Sequence, residues 1–140
     1  MSLQSIPGLV LTFAASGAVA ARRAVGFDGA QASAAGQKVM GVSPRAVASG
    51  ELSDAVVSGT AVVEAGAAFT KGASLIVDAQ GRAVASSSAL NVKAGAIAVQ
   101  STAANGAAIL AGGDPPEFVF ADALEAATGA GAFVEVLLRR

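Results

Sequence analysis

Serine and lysine have the widest chemical reach in this chain, since Lys38, Lys71 or Lys93 could serve as the base of a Ser-Lys pair, and acid pairs could also move protons. The spacing that such chemistry needs is missing. There is no Ser-x-x-Lys, and no Gly-x-Ser-x-Gly turn presents a nucleophile. A phosphate loop fails for want of a Gly-Lys-Ser/Thr with its upstream glycine, and Gly129-Ala130-Gly131 lacks the third glycine and the helix of a dinucleotide site. It reads as a glycine turn before a last strand. Asp78-Ala79-Gln80-Gly81 opens like a calcium loop but has no third-position acid or closing glutamate, so a turn is the better reading. The densest acidic group is Asp114, Glu117, Asp122 and Glu125. It could hold a divalent ion only if the fold converged the four, and it otherwise reads as a solvated loop.

The inventory narrows matters further. The 140 residues include no cysteine, histidine, tryptophan or tyrosine, which excludes disulfides, thiolate nucleophiles, imidazole bases and Cys/His zinc sites. We expect no enzyme, no cofactor and no resident metal. Nine basic and ten acidic residues are scattered, for a net charge of −1, without the basic run that nucleic-acid binding needs. So small a net charge offers little repulsion between copies. Val, Leu, Ile and Phe total 37, enough for a thin core that oligomerisation would reinforce.

These groups must be positioned by short strands. Alanine favours helix, but 17 glycines recur along the chain, and no long segment keeps an apolar stripe at helical spacing. The larger apolar residues fall in valine-rich clusters between Gly, Ser, Asp and Asn, a strand signature. The expected strands are Leu9–Ala14, Ala21–Phe27, Val39–Val42, a pair Leu52–Val57 and Thr60–Glu64 around Ser58-Gly59, and Leu75–Asp78 with Arg82–Ala85 about a turn. Later ones are Ala96–Gln100, Ala107–Leu110, Glu117–Ala121 and Phe133–Leu138. Asn105–Pro116 reads largely as loop, and Ala121–Ala127 as a helical turn. Turn signals roughly every 8–12 residues favour a sandwich or barrel. Gly41–Leu52 also echoes Ala123–Phe133, each an apolar pair, an alanine-rich link, a glycine and a strand.

The segment Leu9–Ala15 resembles the apolar core of a secretion signal, but no lysine or arginine precedes it, and the stretch is too short to span a bilayer. We read it as a buried strand followed by a turn, and expect no membrane partner. Of the doublets Arg22-Arg23 and Arg139-Arg140, the first should show one side chain to solvent and the second should form a solvated tail able to dock on an acidic neighbour.

The run from Val62-Val63-Glu64-Ala65-Gly66 through Phe69-Thr70-Lys71-Gly72 and Leu75-Ile76-Val77 to Asp78-Ala79-Gln80-Gly81-Arg82-Ala83-Val84 resembles the centre of tailed-bacteriophage capsid cement (decoration) proteins. Ala123-Leu124-Glu125-Ala126-Ala127 through Gly131 to Phe133-Val134-Glu135-Val136-Leu137-Leu138 resembles the family's closing segment, and Gly41-Val42 its middle. The likeness covers residues 20 to 138. Asp122-Ala123 replaces a frequent Gly-Val, and residues 85–116 form a longer stretch than usual. The resemblance implies a structural protein on the outer surface of an icosahedral head, clamping major capsid subunits against the pressure of packaged DNA.

The expectation is therefore one all-β domain over 1–140, a small jelly-roll-like β-sandwich or alternatively a small β-barrel, with residues 1–8 as an extended arm. Its partners would be the major capsid protein and itself, as a dimer or alternatively a trimer. Leu3, Ile6, Leu9, Arg139 and Arg140 are the expected contacts. Leu3–Phe13 would reach across to a partner rather than complete its own sheet. A competing class is a secreted β-rich adhesin or surface-layer module with residues 1–20 removed; a Ser-Lys hydrolase is a third.

Overall fold

A computed structural model describes residues 4–87, 99–100, 108–109 and 117–139. Its internal contacts divide the chain into one unit of Met1–Ser86 with Glu117–Arg140 and another of Ser87–Pro116. The first contains β1 (Pro7–Ala14), β2 (Arg23–Gly26), β3 (Val39–Ser43), β4 (Leu52–Glu64), β5 (Ser74–Val77) and β6 (Ala83–Ala85), and then β9 (Ala121–Ala123) and β10 (Phe133–Leu138). The second contains β7 (Val99–Gln100) and β8 (Ala108–Ile109), an antiparallel pair. The rest of the strands expected at Ala96–Gln100 and Ala107–Leu110, and of the loop Asn105–Pro116, lies outside the described residues.

No helix occurs among the described residues, so the all-β expectation holds. The main sheet runs β2-β3-β4-β10-β9-β5-β6, with β1 added along β4. Its ends return to each other. Ala24 N donates to Gly81 O at 2.8 Å, Arg23 Nη1 donates to Gln80 O at 2.7 Å, and Ala65 bridges Ala83. One sheet closing on itself is nearer the barrel than the two-sheet sandwich. Valine fills the interior, with Val25, Val42, Val63, Val77 and Val136 fully buried, as β-branched side chains suit a pleated half-buried surface.

Glycine and β1 overturn one expectation. Ser58-Gly59 does not turn a hairpin; β4 passes straight through it for 13 residues. Gly59, at φ 89°, is instead where β4 exchanges partners. Pro7 of β1 and Leu138 of β10 both register on it. Two further elements move. The strand expected at Glu117–Ala121 is β9, Ala121–Ala123, and the helical turn expected at Ala121–Ala127 is this strand followed by a bend. Backbone pairing decides both: Ala121 and Asp122 pair with Leu75 and Ser74, and Ala127 exchanges hydrogen bonds with Phe69. Alanine's helix preference is too weak to resist such partners.

The echo noted in the sequence corresponds to a repeated connection. The link after β1 and the link after β3 lie antiparallel, Val19 and Val47 exchanging hydrogen bonds at 2.9 Å each way. The link after β4 and the link after β9 do the same through Phe69 and Ala127. The flanking bonds match as well. Ala15 N donates to Glu51 O as Ala65 N does to Ala132 O, and Arg22 N donates to Ser43 O as Gly72 N does to Ala123 O. Arg22 thus holds the place in one half that Gly72 holds in the other.

The β5–β6 turn is set by one carboxylate. Asp78 Oδ1 accepts from Gln80 N and Arg82 N at 2.8 and 2.9 Å, and Oδ2 accepts from Arg82 Nε at 2.7 Å. Asp78→Ala removes a charged acceptor from two amides and a guanidinium and is expected to lower stability by about 2 kcal/mol in urea unfolding. Arg82→Ala, which leaves both amides bonded, should cost less than half of that; equal losses would show that the turn does not depend on the amide bonds.

Candidate docking surface

The strand nearest the N-terminus is not buried. Of β1 only Phe13 enters the core, where it packs with Ala15, Val19, Val25, Val47 and Ala55. Ile6 (62%), Leu9 (48%), Val10 (44%) and Leu11 (41%) remain exposed, which corrects the buried strand expected from sequence. The cause is topological. β1 pairs with β4 alone among the described residues, so no second strand and no opposing layer covers it. It completes its own sheet, antiparallel from Pro7 opposite Gly59 to Ala14 opposite Leu52. Leu52, itself exposed, extends the apolar strip at the far end.

An edge strand with a free row of backbone donors and acceptors is a template for pairing, and natural proteins usually protect it with charge, bulges or proline. Here Pro7 stands at its first position and the register shifts around Leu9, but from Leu9 to Ala14 no side chain is charged. Several large apolar side chains exposed along one edge strand point to a docking surface.

The start of β1 is held in place. Ile6 N donates to Thr60 Oγ1 at 2.9 Å, Thr60 N donates to Ile6 O at 3.0 Å, and Gln4 N lies 3.4 Å from the buried Glu135 carboxylate. Of the residues singled out in the sequence, Ile6 and Leu9 are both exposed, one just before β1 and one within it. Leu3 and Arg140 lie outside the described residues. Arg139 is not a loose tail: its Nε and Nη2 donate to Asp122 at 2.5 and 2.7 Å. That hydrogen bond, and then the charge of Asp122, raises the Arg139 pKa above its ordinary value. The sequence also gave no sign that Val10, Leu11 and Leu52 join the exposed strip, because an apolar strand reads alike whether its own core or a partner covers it.

The groups with chemical reach are dispersed. Asp122 is taken by Arg139, Glu117 Oε2 accepts from Ser86 Oγ at 2.6 Å, and Asp114 lies outside the described residues. Among the described residues no three acids gather as a metal site. Lys38 stands 5.9 Å from the rings of Phe27 and Phe118, and Lys93 lies outside the described residues. Arg23 is paired with Glu64 at 2.7 Å, while Arg22 lies over the ring of Phe133 at 4.8 Å; both are half-buried, so neither arginine of the first doublet is simply solvated.

A family model described as "Phage cement protein" matches residues 4–113. Among solved structures the chain is similar to the head fiber gp8.5 N base of bacteriophage phi29, with 19% identity, 94% of this chain and 93% of that chain covered, and a TM-score of 0.51. At that identity the likeness shows a shared fold. No curated protein matches the chain.

Proposed function

Because the chain belongs to the phage cement protein family, structural components of the outer capsid surface, we propose that it clamps neighbouring major capsid subunits through β1 and resists the pressure of packaged DNA. The observation that carries this reading is the exposed apolar edge of β1, Ile6 to Leu11. Joining large shell subunits calls for burial of about 1,200–2,000 Å² per stable contact. Rigid strands lose little freedom on docking, so more of that burial appears as affinity.

We further propose a homodimer, with a trimer as the alternative. The backbone edge of β1, as distinct from the exposed apolar side chains offered to the shell, is self-complementary in an antiparallel two-fold pairing, the commonest closed symmetry. Two or three linked copies bridging adjacent subunits then gain by effective concentration. The reading is of binding, not catalysis.

Co-sedimentation with phage heads lacking this protein tests the assignment. Saturable binding to the outside of the heads, and less DNA release from decorated heads on heating, are expected. A purified protein that stays in the supernatant with intact heads would overturn it.

A further inference from the structure

We propose that the cavity beside Arg22 receives a segment of the shell subunit in which an aliphatic side chain stands next to a carboxylate. This rests on the docking reading above and names the chemistry of one contact within it. The cavity measures about 180 Å³ and is lined by Ser5, Arg22, Val42, Pro44, Val56 and the Ala61–Val62 step of β4. An apolar cavity of about 150 Å³ holds one benzene-sized guest. The space therefore suits one side chain rather than a drug-sized ligand.

Arg22 supplies the charge in this lining. Among the described residues its guanidinium meets no carboxylate, whereas Arg23, Arg82 and Arg139 are each paired with one. Its position over Phe133 fixes the cation without using its N–H donors. A fixed, unneutralised cation beside an aliphatic hollow is complementary to an anion carried by an apolar guest. The cavity lies near β1 in the fold, since Ser5, just before that strand, and Val56, which pairs with Val10, both line it.

The backbone points the same way. Arg22 has φ 61°, the one positive value at a non-glycine among the described residues, and the matching link places Gly72 there at φ 83°. Glycine meets this geometry without steric cost. Arginine here carries a backbone angle that glycine would meet more cheaply, the kind of local strain that clusters at functional sites.

Two measurements test the inference. In the first, N-acetyl-leucine, which joins an isobutyl group to a carboxylate, is titrated at millimolar concentration and followed by methyl NMR. Shifts are expected at Val42, Val56 and Val62; they should be absent with uncharged N-acetyl-leucinamide and absent in Arg22→Gln. No shifts, or equal shifts with the amide, would overturn the pocket chemistry. In the second, Arg22→Gln is expected to raise the Kd for protein-free heads about tenfold, as loss of a charged contact does, and to weaken its salt dependence. Arg22→Gly should fold at least as stably as the parent and show the same loss. Parent-like head binding by both variants would sink the shell contact. Failure of the parent itself to bind heads would instead count against the docking reading, with the NMR titration still deciding the pocket.

Discussion

Gly59→Ala should destabilise the protein at least about twice as much as Gly50→Ala, although the two glycines share almost the same backbone angle, φ 89° and 86°. A left-handed non-glycine residue costs about 1–2 kcal/mol. At Gly50 that is the whole effect, because a β-carbon there meets nothing within 4 Å. At Gly59 the new carbon would collide with Ile6 O and Gly8 N, and lie 3.2 Å from Pro7 C. Backbone atoms cannot rotate away as a side chain can, so the start of β1 must lift. Overpacking of this kind adds about 1–3 kcal/mol, for a total of about 4 kcal/mol at Gly59. Urea unfolding of both variants measures the difference, and hydrogen exchange should show faster exchange of the β1 amides in Gly59→Ala alone. Equal losses would mean that β1 is not seated on Gly59.

The second large effect is on binding. Leu9→Glu combined with Leu11→Glu should weaken attachment to heads at least a hundredfold while leaving stability within about 0.5 kcal/mol, the range for exposed positions. Two large aliphatic side chains at the centre of an interface contribute about 1.5–3 kcal/mol each when fully buried, and the carboxylates would themselves have to be desolvated. Both residues are now about half in water and belong to neither buried cluster, so the fold has less to lose than at a core position. Sedimentation with heads gives the affinity and thermal unfolding the control. If the double variant binds as the parent does, β1 is not the docking strand. If it unfolds, the strand belongs to the core after all.

Much of the architecture was legible in local sequence. Phe133–Leu138 and Val39–Val42 were readable, the second one residue short of β3, because valine-rich runs bounded by glycine, serine and proline have few other uses. The Asp78–Gly81 turn was readable because a carboxylate two residues before an amide can cap it without distant help. The misreadings share one cause. Ser58-Gly59 is a good hairpin sequence, yet β1 and β10 both register there and hold β4 straight. Ala121–Ala127 is a good helical sequence, yet Ser74, Leu75 and Phe69 claim its backbone.

The candidate site divides in the same way. Ile6 and Leu9 stood out as apolar residues near a chain end, and both are exposed on β1. Arg139 stood out as a terminal charge, but Asp122 occupies it. Arg22 looked like half of an ordinary doublet. Its value as a contact depends on Phe133, far away in the chain, and on a backbone angle that the matching link gives to glycine.

By itself the sequence determined that this protein is built of short strands, carries no cysteine or histidine and none of the catalytic spacings sought, and resembles capsid cement proteins. Those conclusions depend on residue types and near-neighbour spacing, where steric and hydrogen-bonding preferences act within a few residues. Only the tertiary structure decided that β4 is continuous, that β1 lies exposed at an edge, and that Arg22, which meets no carboxylate among the described residues, stands beside a cavity lined mostly by aliphatic side chains. Each of these depends on which distant backbone arrives alongside, and a pattern of apolar residues carries no label saying whether its own core or another molecule is to cover it.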